Sequence, residues 1–102
     1  MRIIQLDATN WKTVADFYDA LLAAIGAPEW HGDSPDALID SMIWGGINAV
    51  EPPYTIHISG AEKLPKDVSE HVELVKKALA KARLEYQRRK GGDVEVSIES
   101  ES

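Results

Sequence analysis

The chain has 102 residues, 44% of them hydrophobic, no cysteine and a formal net charge of −6. That length fits one domain, residues 1–102, since halves would be too small to bury a stable core. The hydrophobic fraction excludes wholesale disorder, and the missing cysteines exclude disulfides and thiolate metal sites and suit a reducing cytoplasm. The acidic balance argues against a nucleic-acid binder, whose phosphate contacts need clustered cations.

The opening Met1-Arg2-Ile3-Ile4-Gln5-Leu6-Asp7 turns polar too soon for a signal peptide, and no apolar run approaches a membrane span. A cytoplasmic protein with no membrane partner is expected. Ile3, Ile4 and Leu6 read as a short buried strand closed by Asp7-Ala8-Thr9-Asn10. Trp11 precedes a helix and is expected to staple it. Thr13 then has the position of an N-cap, with Asp16 three residues on, a relative of the capping box. Val14, Phe17, Leu21 and Ile25 fall on one helical face, and Gly26 and Pro28 stop the helix.

Ser34 as N-cap and Pro35 at the first helical position open a second helix through Leu38, Ile39 and Met42, ending near Gly45-Gly46. Ile47 to Pro53 reads as a loop, and Tyr54-Thr55-Ile56-His57-Ile58 as a strand. A long helix from about Asp67 to Lys90 carries one apolar stripe at Val68, Val72, Val75, Leu79, Ala82 and Tyr86. Arg88, Arg89 and Lys90 complement its dipole just before Gly91-Gly92. Val94, Val96 and Ile98 alternate with Glu95, Ser97 and Glu99 as a last strand with one wet face. The order β-α-α-β-α-β puts helical crossovers between strands and predicts an α/β fold, a small three-stranded parallel sheet packed by helices.

Charge is segregated along this order. From Thr13 to Glu62 there is no Lys or Arg, while Asp16, Asp19, Glu29, Asp33, Asp36, Asp40, Glu51 and Glu62 are all acidic. A one-signed segment attracts a partner of opposite sign and speeds its arrival. Asp33 and Asp36 sit where a helix dipole favours acids, but Asp40 lies beyond the first turn, four residues from Asp36. Like charges so spaced cost about 0.2–0.5 kcal/mol, and no cation at three or four residues from Asp40 offsets them. Trp30, His31, Gly32 and Trp44 flank these acids, and aromatic residues amid an acidic patch have the composition of an interaction site.

Enzyme readings are weaker. His31, Asp33, Asp36 and Asp40 match no established metal-ligand spacing, although a small carboxylate or metal-dependent enzyme using them is the alternative from another class. There is no Gly-rich phosphate loop and no serine nucleophile motif, so neither a cofactor nor catalysis is expected. His57 reads as a satisfied core or sheet-face histidine rather than a base, and His71 as solvent-facing.

The segment Pro28-Glu29-Trp30-His31-Gly32-Asp33-Ser34-Pro35-Asp36-Ala37-Leu38-Ile39-Asp40 resembles the barstar family, intracellular inhibitors of secreted barnase-type ribonucleases. The family pattern is Pro-Glu, two aromatics, Gly, an acid, two variable residues, Asp-Ala-Leu, an aromatic and Asp. The resemblance implies a non-catalytic, RNA-mimicking inhibitor or immunity protein, monomeric when free, whose acidic helix plugs the cationic site of an extracellular-type ribonuclease or RNase toxin. By motif position Asp40 resembles the family's principal anchor, Asp36 a second carboxylate, Trp30 an aromatic contact and Gly32 an adjacent turn; His31, Asp33 and Ile39 of the same segment, and Trp44 beyond it, complete the expected partner-binding set. Four departures stand out. Ile39 and His31 replace aromatics, the loop from Trp44 to Pro53 is longer, and the last helix is extended, leaving Glu85 as a guess for a distal acidic contact. A barstar-fold adaptor for a basic protein that is not a nuclease is the remaining alternative.

Overall fold

The computed structural model of the chain describes residues 2–28, 32, 34–45 and 48–101. Its elements run β1 (Arg2–Asp7), α1 (Val14–Ala24), α2 (Pro35–Ile43), β2 (Tyr54–Ser59), α3 (Lys66–Lys90) and β3 (Val96–Ser100), with a short 3₁₀ turn at Ala61–Lys63. The order is the β-α-α-β-α-β expected from the hydrophobic periodicity. The strands form one sheet in the order β1-β2-β3, both pairs parallel. Rows cross it in register, Ile4 beside Ile56 beside Ile98.

One face of this sheet builds the core. Tyr54, Ile56 and Ile58 of β2 and Val96 and Ile98 of β3 are buried with Phe17, Leu21 and Ile25, with Leu38 and Met42, and with Val68, Val72, Val75 and Leu79. The opposite face is polar. His57 Nδ1 lies 2.8 Å from Gln5 Oε1 and its Nε2 3.1 Å from Glu101 Oε2, while the Thr55 and Ser97 hydroxyls are 3.0 Å apart. A parallel sheet usually buries both faces; this one keeps the second wet by lining it with side chains that hydrogen-bond one another. Burial against the core pushes the Tyr54 hydroxyl up to a pKa of about 12.

Local signals set the helix ends. Thr13 and Asp16 form a full capping box, the Thr13 hydroxyl accepting from Asp16 N at 3.2 Å and the Asp16 carboxylate from Thr13 N at 3.1 Å. Trp11 is buried with its ring edge-on to Phe17 at 5.7 Å, so it does staple α1. After α1, Gly26 adopts φ 66°, where a Cβ would come within 2.5 Å of Ala49 Cβ. Only glycine lets the loop after α2 approach so closely, and Ala49 N and Val50 N then donate to the Gly26 and Ile25 carbonyls, each at 3.0 Å.

Three expectations need correction. The first strand is not buried: β1 is an edge, and Ile3 is 61% exposed because it points to the wet face. The last strand starts at Val96 rather than Val94, since Glu95 takes φ 57° and breaks the extended run. His71 does not face solvent, because its Nε2 lies 2.7 Å from the Tyr18 hydroxyl and its ring packs edge-on against Phe17 and Tyr18. A polar residue beside the α3 stripe looks exposed by periodicity, but α1 supplies a tyrosine that reaches over to it.

Candidate functional site

The second helix is short because its signals are close together. The Ser34 hydroxyl accepts from Ala37 N at 3.2 Å, Pro35 takes the first helical position, and Trp44 caps the far end with Gly45 following at φ 68°. Leu38, Ile39, Met42 and Ile43 are buried, as is Ser41. The Ser41 hydroxyl donates to Leu38 O at 3.0 Å and accepts from Asn48 Nδ2 at 3.1 Å, which ties the following loop to the helix. Burial of one side fixes what the other presents. Asp36, Asp40 and Trp44 are all exposed, and their spacing of four residues aligns them as one ridge along α2.

Among the described residues, neither the Asp36 nor the Asp40 side chain makes an ion pair or hydrogen bond. Asp36 sits at the second helical position, within reach of the positive end of the dipole, while Asp40 is a full turn further on. The ridge therefore presents two solvated carboxylates with no hydrogen bond or ion pair among the described residues.

The ridge forms one wall of a groove of about 830 Å³ between α2 and α3. Its floor is apolar, from Ala37, Ile39, Ala78 and Ala82, and its far wall carries Lys81, Glu85 and Arg89. Glu85 is engaged within its own helix, 3.6 Å from Arg88 Nη1 and 3.2 Å from Arg89 Nε. Trp44 closes the groove at one end. It is 40% exposed, its ring 5.1 Å from that of Tyr86 and within 5.8 Å of the Arg89 guanidinium and 5.9 Å of Lys90 Nζ. Contacts of that kind contribute about 0.5–1 kcal/mol at exposed positions, so Trp44 also fastens the end of α3 to α2.

Of the expected site residues, the structure brings Asp36, Ile39, Asp40 and Trp44 together on this groove. Ile39 is only 9% exposed and offers its edge as floor. Gly32 is exposed, and among the described residues a Cβ there would meet Ala37 Cβ at 3.7 Å, an ordinary contact distance. Trp30, His31 and Asp33 lie outside the described residues, and so do Glu29, Gly46 and Ile47. Among the described residues no group of three His, Asp or Glu is placed to hold a metal ion, and no helix is long and apolar enough to cross a membrane.

Sequence reasoning missed the cationic wall. Lys81 and Arg89 come from a helix some forty positions away, so spacing around Asp40 could not show them. Ala82 within the stripe and Ala78 beside it were the available signal: small residues four apart mark close approach of a second helix.

The family model described as Barstar (barnase inhibitor) matches residues 1–99. Among curated proteins none matches the chain.

Proposed function

The chain belongs to the barstar family, and from that premise we propose that it inhibits a basic ribonuclease by seating the α2 ridge in the enzyme's phosphate-binding site. The observation that carries this reading is the pair of exposed carboxylates, Asp36 and Asp40, that have no hydrogen bond or ion pair of their own among the described residues. Asp40, a full turn beyond the helix start and four residues from a like charge, costs the fold a little. Cations of a partner brought directly against it would more than offset that cost. A ribonuclease holds its substrate's phosphate with cationic side chains, so two carboxylates on a rigid helix stand in for successive negative charges of RNA.

The binding mode is stoichiometric rather than catalytic. Asp40, in the middle of the ridge, enters the phosphate site; Asp36 meets a neighbouring cation; Trp44 and the segment with Trp30, His31, Gly32 and Asp33 form the surrounding contacts. Carboxylates dried among Arg and Lys side chains form short charge-assisted hydrogen bonds, and the acidic surface steers the encounter. The test is inhibition of a purified barnase-type ribonuclease across a salt series. Inhibition that is one-to-one and weakens steeply as salt rises is expected. Inhibition indifferent to salt, or none of any basic ribonuclease tried, overturns the reading.

A further inference from the structure

We propose that the α2–α3 groove sorts ribonucleases by charge and that Lys81 is the specificity-determining residue; this rests on the inhibitor role proposed above. Asp36 and Asp40 line one wall of the groove and Lys81 and Arg89 the other, over a floor of Ile39, Ala78 and Ala82. The two cations are not equivalent. Arg89 is compensated by Glu85 at 3.2 Å, whereas Lys81 is exposed and makes no ion pair among the described residues. The fold does not use it.

A partner that lays cations on Asp36 and Asp40 brings the adjoining part of its rim over Lys81, because all three residues border one groove. A cation there meets a like charge at a closing interface, which costs affinity; a carboxylate there is paired. The occupant the groove fits is therefore a segment of a basic ribonuclease in which an acidic side chain stands beside the cations of the phosphate site, with an aliphatic side chain between them on the alanine-lined floor. A nuclease whose rim is cationic throughout docks on the ridge but is penalised at Lys81. The wall thus weakens binding to the wrong enzyme.

Barnase, a basic ribonuclease, serves as the probe. Its inhibition is measured with the full chain as wild type, Lys81→Glu, Lys81→Ala and Asp40→Ala, each checked for native helix content and melting. Lys81→Glu is expected to inhibit barnase on the order of tenfold more tightly than wild type at low salt, with Lys81→Ala between them and the gain shrinking as salt rises. Lys81→Glu no tighter than wild type overturns the inference, including the case in which neither inhibits. Loss of inhibition in Asp40→Ala with no effect at Lys81 sinks the sorting role alone. Inhibition that survives Asp40→Ala sinks the ridge itself, whatever Lys81 does.

Discussion

Under the proposed inhibitor role, Asp40 opposes stability to function within one side chain. It lies past the first turn of α2, four residues from Asp36, with no hydrogen bond of its own among the described residues. Replacing it with alanine removes a like-charge neighbour and installs a better helix former, together worth roughly 0.5–1 kcal/mol to the free protein. The cations of α3 across the groove trim that gain without reversing it. In a complex the same change leaves enzyme cations unpaired and costs several kcal/mol. The barnase–barstar pair is itself the established example of losses on that scale, so the size is the family's own. Asp40→Ala should therefore melt no lower than wild type while inhibiting at least about a hundredfold less well, roughly 3 kcal/mol. Gly32 gives a second residue-scale test. A methyl group there finds ordinary contact distance from Ala37, so Gly32→Ala should leave the melting temperature within about a degree or two, and any lost inhibition would report on the partner's close approach rather than on folding.

At the scale of elements, the helices are placed by signals that a reader of the sequence can see, whereas their long-range contacts are not. The capping box at Thr13, the Ser34-Pro35 start and the α3 stripe were all legible because they depend on residues within one or two turns. What escaped depends on chain segments far apart: β1 as an edge strand, the Tyr18–His71 link, and the cationic wall opposite Asp40. The start of β3 escaped for a local reason, since Glu95 at φ 57° is a conformation that few side chains advertise. Charge spacing already singled out Asp36 and Asp40, and the family segment added the roles expected of them; Trp30, His31 and Asp33 lie outside the described residues. Two stability measurements check the elements. Leu79 is 2% exposed in the centre of the α3 stripe, so Leu79→Ala should cost about 2–5 kcal/mol in urea unfolding. Thr13→Ala removes one half of the capping box and should cost about 1 kcal/mol.

Across the whole molecule the segregated charge acquires a physical shape. The acidic middle of the sequence folds into α1, α2 and β2, while α3 carries eight cations against four acids, so the acidic ridge runs beside a basic helix without ion-pairing to it. For the basic partner proposed above, that asymmetry would orient the approach as well as attract it. The fold's own acids lie elsewhere and set its acid limit. The Arg83 guanidinium, with the Glu95 N–H, holds the Asp93 carboxyl well below the usual carboxylate range; the Lys12 and Thr13 N–H groups lower Asp16, and Thr9 lowers Asp7. Because each folded value lies below the ordinary 3.8, their stabilisation is fully present above that pH and is lost as pH falls below it. Urea midpoints should therefore lose these contributions only below about pH 4, and Asp93→Asn should flatten part of that acid decline. The plug itself is probed most directly by competition. Calorimetric titration of a barnase-type ribonuclease with the chain, in the presence of rising concentrations of a nucleoside monophosphate that fills the enzyme's phosphate site, should show apparent affinity falling in proportion to the fraction of sites filled; unchanged affinity at a saturating nucleotide concentration would mean that the α2 ridge binds elsewhere and does not imitate RNA.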